Sequence, residues 1–362
     1  MTDNEDPKEA KDEPQSSLPP IKNLRRRKRW CLVFLNICFL LVGQGAAVLL
    51  LRFYYEKGGR GKWITTLAQT AGFPILFIPF ILFPSIKEPS TKCPRITVKL
   101  VYVALGAVIA GDNLLYSVGL AYLSTSTYSI LCATQLSFSA IFSFFLNSQK
   151  CTILILNSII VLSLSAYLLG VIDHSVNPFN VTKSRYTFGF VATISASALY
   201  ALLLSLTQLS FLKIIKKETF AVVLELQIHT SIVASLISLV GLFASGEWRL
   251  LRVEVFNFNE GSLSYAMTLI WTAVAWQICS VGVVGLVFVV SPLFSNVIST
   301  LALCLSPLAA AIAFHHTVNG AKIIAVLMGI WGFSTYVYQN CLDDLEAKNK
   351  SENNDKCPEC SC

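Results

Sequence analysis

The chain has 362 residues, is 54% hydrophobic and only 14% charged, and carries a formal net charge of +7. Soluble globular domains average about 25% charged residues, so this composition excludes an ordinary soluble enzyme or binding domain. The basic residues sit in short connections and a tail instead of spreading over a folded surface, so no nucleic-acid partner is expected.

Residues 1–30 begin acidic (Asp3, Glu5, Asp6, Glu9, Asp12, Glu13) and end in the run Arg25-Arg26-Arg27-Lys28-Arg29. Without an apolar period, this segment is expected to be a disordered cytoplasmic tail with a basic juxtamembrane cluster. No small-residue cleavage site follows the first apolar run, which therefore reads as an anchor and not as a removable signal. Ten apolar stretches follow, at about 31–51, 63–84, 98–121, 124–147, 151–171, 186–209, 220–244, 265–290, 292–314 and 320–338. Each is near the ~20 residues that cross a hydrocarbon core as a helix, the form in which a backbone satisfies its own hydrogen bonds in lipid. Gly58, Gly59 and Gly61 break the first connection and Pro178 the fifth. Residues 172–185 are expected to form an extracytoplasmic loop and 339–362 a polar cytoplasmic tail.

Counted by alternate sides, the side of the N-terminus collects 19 of the 28 Lys and Arg. The positive-inside rule then places both termini in the cytoplasm, with the plasma membrane as the expected location and the endoplasmic reticulum or vacuolar membrane as alternatives. The acceptor sequence Asn180-Val181-Thr182 falls on the opposite side. An internal repeat is visible: Tyr116-Ser117-Val118-Gly119-Leu120 recurs as Cys279-Ser280-Val281-Gly282-Val283, shifted by 163 residues, in the third helix of each half. The expected fold is an all-α membrane protein of ten transmembrane helices, in two five-helix repeats at 31–171 and 186–338. An odd helix number per repeat inverts one half against the other, as in secondary transporters.

Polar residues inside apolar helices are expensive and mark function or interhelical glue. Asp112 and Tyr116 share a face of the third helix at i, i+4, with Asn113 beside them; the repeat shift maps Asn113 onto Trp276, next to Gln277. The two clusters are expected to meet at the membrane centre, where carriers of this architecture bind substrate. For Asn113 and Gln277, substrate binding and helix glue stand as equal readings. Gln135 in the fourth helix and Asn296 in the ninth carry amides that can pair with an adenine edge, while aromatic faces stack on any planar base. Asn113, Tyr116, Gln135, Trp276, Gln277 and Asn296 are thus the expected walls of a site for a flat heterocycle. Asp112 and Glu225 are the acidic side chains inside the apolar helices, and a carboxyl in hydrocarbon can carry a proton between the two faces. Pro74, Pro79, Pro292 and Pro307 weaken their helices locally, as static bends or as gating kinks.

No GxSxG, HExxH or GxxxxGK[ST] motif is present and no acidic metal cluster, so the chain reads as neither an enzyme nor an ATP-driven pump, without cofactor or metal. Uphill transport would draw on an ion gradient. Cys31, Cys38, Cys132, Cys279 and Cys304 lie in apolar segments and read as packing residues; Cys357, Cys360 and Cys362 crowd the C-terminus without a partner ligand set. The expected partners are a flat heterocyclic small molecule (of purine type, as the resemblance given next implies), protons and the lipid bilayer, and nothing in the chain sets an oligomeric state.

The run WQICSVGVVGLVFVVS from Trp276 to Ser291, followed by LFSNVISTL from Leu293 to Leu301, resembles the plant purine permeases. Further similarity lies in Leu50–Tyr55 with Gly58-Gly59, in Gly72-Phe73-Pro74, in Gln149-Lys150, in Gly241–Trp248 and in Ile330–Phe333, spanning about residues 31–342. The resemblance implies the drug/metabolite transporter fold and proton-coupled uptake of adenine, cytokinin bases and similar heterocycles, with vitamin B6 forms or alkaloids as alternative cargo. Two positions depart from the pattern: Pro292 stands where a small polar residue is expected, and His315-His316 replaces a His-Asp pair.

Overall fold

The computed structural model describes residues 20–82, 95–123, 128, 131–147, 152–172, 183–215, 221–314 and 320–355. Asn180, His315, His316 and the C-terminal cysteines, singled out above, lie outside the described residues. Among the described residues every regular element is helical: α1 (Pro20–Glu56), α2 (Lys62–Ala71), α3 (Phe77–Leu82), α4 (Arg95–Tyr122), α5 (Gln135–Asn147), α6 (Ile153–Ile172), α7 (Lys183–Leu209), α8 (Ala221–Ala244), α9 (Trp248–Asn257), α10 (Gly261–Val289), α11 (Pro292–Phe314) and α12 (Gly320–Asp355). Among the described residues six stretches are long and apolar enough to cross a membrane: Arg29–Tyr55, Lys62–Ile81, Ile96–Tyr122, Lys183–Ile215, Val222–Ala244 and Gly261–Val289. Four shorter apolar helices, Leu131–Leu146, Ile153–Ser165, Pro292–Leu303 and Ile323–Gln339, complete the set. Phe34, Leu100, Phe145, Ile153, Val240 and Trp331 point outward and exposed, a belt of apolar surface that suits lipid and not water.

Several boundaries depart from the sequence expectation, each for a local reason. Helix α1 begins at Pro20, so the basic cluster is helical and not disordered. Pro is at home in a first helical turn and Arg and Lys are good helix formers, while the Arg29 guanidinium donates to the Val289 carbonyl at the end of α10 (3.3 Å). At the other end, α12 continues to Asp355, well past the 338 expected. The second apolar stretch is interrupted: α2 stops at Ala71, a 3-10 turn covers Phe73–Leu76 and α3 resumes at Phe77. Pro74 has no N–H to give the Thr70 carbonyl, so the α-helical ladder cannot continue there. In the fourth stretch, helix over 131–133 yields to a turn at Thr134 before α5 starts. Helix α9 falls in a connection that carries no sequence signal of its own.

The closest packing is between α1 and α10, with α4 against α7 and α6 against α12 as further major contacts. Glycine makes the α1–α10 approach possible. A Cβ on Gly282 would lie 2.6 Å from the Leu40 nitrogen and 2.7 Å from the Asn36 carbonyl, and one on Gly43 would lie 2.6 Å from the Cys279 nitrogen. These obstacles are backbone atoms that no rotamer change removes, the small-residue crossing familiar in membranes. Gly282→Leu is therefore expected to separate the two helices at about 1–3 kcal/mol or more, read as a lowered Tm of the purified protein, whereas Val284→Leu is expected to be tolerated.

Candidate functional site

A cavity of about 230 Å³ lies where α1, α2, α4, α5, α7, α8, α10 and α11 converge. Each helix gives it one face. From α1 come Gln44, Val48 and Arg52, spaced four residues apart and so stacked on one side. From α4 come Asp112, Asn113 and Tyr116, and from α5 Gln135. Tyr200 of α7, Gln227 of α8 and Trp276 of α10 close the ring. Asp112 and Arg52 are the charged residues among the described walls.

Asp112 is 3% exposed, and its Oδ1 makes no hydrogen bond with the described residues. The Trp276 Nε1 is in the same position. A buried donor and a buried acceptor left over beside one cavity are groups that a ligand can satisfy, since polar atoms stranded in a protein interior are otherwise rare. The amide of Gln135 is held from both sides: the Tyr116 hydroxyl donates to its Oε1 (3.3 Å), and its Nε2 donates to the Thr300 hydroxyl (3.4 Å). Tyr116 in turn packs edge-on against Tyr128, ring centroids 6.2 Å apart. Gln44 accepts from the Ser299 hydroxyl at 2.9 Å.

Of the residues singled out from the sequence, Asp112, Asn113, Tyr116, Gln135 and Trp276 meet in this cavity, while Gln277, Asn296 and Glu225 are not in its walls. Gln277 is fully buried behind it, its Nε2 donating to the Thr70 carbonyl (2.8 Å) and its Oε1 receiving Gln227 Nε2 (3.4 Å). Thr70 carries the carbonyl that Pro74 leaves without a backbone donor, so Gln277 repairs the break in the second apolar stretch. Between the two readings of Gln277, the packing fits helix glue. Gln277→Met, which keeps volume and removes the donor, is expected to lower stability by about 1–3 kcal/mol, with substrate affinity unchanged; thermal unfolding and a binding isotherm on the same sample check it.

Asn296 is likewise fully buried, and its Nδ2 donates to the main-chain carbonyl of Gln135 (3.0 Å). It fixes α5 against α11 and reaches the cavity only through Gln135. Glu225 is on a different face of α8 from its cavity-lining neighbours Leu226, Gln227 and Thr230. There it neighbours Tyr102, whose ring stacks on His229 at 4.9 Å. Sequence reasoning missed Arg52, Gln44, Gln69, Tyr200 and Gln227. The spacing of Gln44, Val48 and Arg52 was the available signal.

A family model described as purine nucleobase transmembrane transport matches residues 31–346. The chain belongs to the purine permease family. Relatives from Arabidopsis thaliana include probable purine permease 11, 55% identical over 349 residues (95% of this chain, 92% of the relative). Probable purine permease 13 is 50% identical over 339 residues (93% and 94%), and purine permease 21 is 47% identical over 331 residues (90% and 84%). A solved structure, described only as a crystal structure of a protein, superposes with a TM-score of 0.55 over 86% of this chain and 97% of its own at 14% identity, a likeness that bears on fold alone. The permease is thus a multi-pass membrane protein of a family of purine transporters, and the cavity between its helices is where a small molecule has polar and aromatic groups to meet.

Proposed function

We propose that this permease takes up purine bases, adenine and cytokinin bases among them, by proton symport and alternating access. The observation that carries the reading is the composition of one cavity: an unpartnered carboxyl (Asp112), amides (Asn113, Gln135) and aromatic faces (Trp276, Tyr116). A planar base offers a π-face for the aromatics and a donor–acceptor edge for the amides, and a carboxyl embedded in hydrocarbon is suited to carry a proton. The ten apolar stretches are proposed to be ten crossings in two inverted repeats. The packing supports this: α1 lies on α10 as α7 lies on α4, and α2 meets α8, α5 meets α11 and α6 meets α12, pairings that map onto themselves when each helix is exchanged for its counterpart in the other half. With the basic N-terminal cluster inside, both termini are proposed to be cytoplasmic, at the plasma membrane.

Arg52 favours a second reading of the cargo. Its planar fork suits paired acceptor atoms or an acidic substituent, so a heterocycle bearing them, a vitamin B6 form or an alkaloid acid, competes with adenine for the assignment. Radiolabelled adenine uptake in cells lacking their own purine carrier, with unlabelled purines, cytokinins, pyridoxine and alkaloids as competitors, decides between them. Saturable adenine uptake displaced by purines and abolished by a protonophore is the expected result. Uptake displaced best by pyridoxine, or insensitive to the protonophore, overturns the cargo or the coupling respectively.

A further inference from the structure

Helix α9 is ten residues long and buries none of them. Trp248, Leu250, Val253 and Phe256 are exposed, Phe256 by 83%, and Arg249 and Arg252 share that outward side, the Arg249 guanidinium 5.4 Å from the Trp248 ring centroid. The opposite side, with Glu247, Leu251, Glu254 and Val255, is part-buried against the protein. On one side of it α8 ends at Ala244 and on the other α10 begins at Gly261, and both belong to stretches able to cross the membrane. Connectivity alone therefore puts α9 at the membrane surface.

We propose that α9 is an interfacial helix that seats in the headgroup–acyl boundary of the phospholipid bilayer, and that from this seat it clamps the turn between α1 and α2. The apolar side chains reach the acyl boundary, and the two arginines, interleaved with them, meet lipid phosphodiesters; such mixing of aromatic, aliphatic and Arg side chains fits the membrane interface. A partner protein's dry interface would have to desolvate both guanidinium groups. The inward side supplies the clamp. The Glu254 carboxylate accepts the Tyr54 hydroxyl and the Arg60 N–H (3.2 Å), and Tyr54 also receives the Gly61 N–H (3.2 Å). The Glu247 carboxylate accepts the Trp63 N–H at 2.9 Å, in the first turn of α2, where a negative charge is favoured by the helix dipole. Just beyond α9, Asn259 donates to the Lys57 carbonyl (3.2 Å) and Glu260 pairs with Lys57 (2.5 Å). Arg52 and Gln69, which wall the cavity, stand close in the chain to either side of that turn. Lipid contact at α9 thereby steadies one end of the cavity.

The test uses the full chain in phospholipid nanodiscs. The emission lost in Trp248→Phe isolates Trp248, and lipids brominated near the glycerol end or near the chain terminus report its depth. Quenching by shallow bromines, with little quenching by aqueous iodide, is expected. Quenching by iodide alone means a solvent-facing helix, and quenching by neither means a protein cover; each overturns the seat. Hydrogen exchange at the Arg60, Gly61 and Trp63 amides reads the clamp. Glu254→Gln should speed exchange at Arg60 and Gly61 severalfold without moving Trp248, and Leu250→Ser/Val253→Ser/Phe256→Ser should speed all three. Unchanged exchange in the triple variant, with Trp248 displaced from the lipid, would refute the link between lipid seat and turn.

Discussion

Asp112→Asn is expected to leave substrate binding and exchange intact while abolishing accumulation against a gradient. Asp112 is nearly fully buried, with one carboxyl oxygen unpartnered beside the cavity, so under the proposed function the proton and the substrate would share one chamber. Such an arrangement would couple them without a separate relay. One charge moving through about 100 mV supplies about 2.3 kcal/mol, which at about 1.4 kcal/mol per decade sustains an accumulation of about fiftyfold. The parent should therefore concentrate adenine, faster as external pH falls, and the Asn variant should only equilibrate it. Vesicles with an imposed pH gradient measure both. Glu225→Gln, altering a carboxyl outside the cavity walls and beside Tyr102, should keep most of the accumulation. Concentrative uptake by Asp112→Asn, or its loss in Glu225→Gln alone, would move the coupling to Glu225.

Trp276→Ala is expected to weaken adenine binding by about ten- to a hundredfold, since base–aromatic stacking is worth about 1–3 kcal/mol per base and about 1.4 kcal/mol makes a decade. Its indole also offers the cavity an unpartnered N–H. Trp276→Phe keeps the stacking face and removes that donor, so it should fall between the parent and the Ala variant. Apparent affinities from competition uptake, normalised to surface expression, give the series. Equal affinities in all three would reduce Trp276 to a packing residue.

Much of this site was legible because lipid makes polar residues conspicuous. Asp112, Asn113, Tyr116, Gln135 and Trp276 stand out from apolar neighbours, and the repeat shift set Asn113 against Trp276, both of which wall the cavity. The remainder depended on facts that sequence does not hold. Gln277 and Gln135 are both amides in apolar helices, yet one repairs the Thr70 carbonyl orphaned by Pro74 and the other walls the cavity. Only the neighbouring helix separates the two roles. Arg52 lies just past the 31–51 stretch, where a long cationic side chain ordinarily snorkels to water, so its four-residue spacing from Val48 and Gln44 was too slight a signal to mark it as a wall. The mixing of Arg with apolar residues in α9 matches neither a membrane span nor a soluble amphipathic helix, so no element was expected between the 220–244 and 265–290 stretches.

The central claim, that a purine occupies the cavity between the two halves, is tested most directly by substrate protection of its thiols. Cys132 and Cys279 are walls of the cavity, whereas Cys31 and Cys38 are not. Purified permease in nanodiscs, treated with a small membrane-permeant maleimide and read by mass spectrometry, gives a rate for each thiol. Saturating adenine should slow alkylation of Cys132 and Cys279 and leave Cys31 and Cys38 unchanged. Adenine bound at measured saturation with Cys132 and Cys279 alkylated at the unliganded rate would place the purine elsewhere in the molecule.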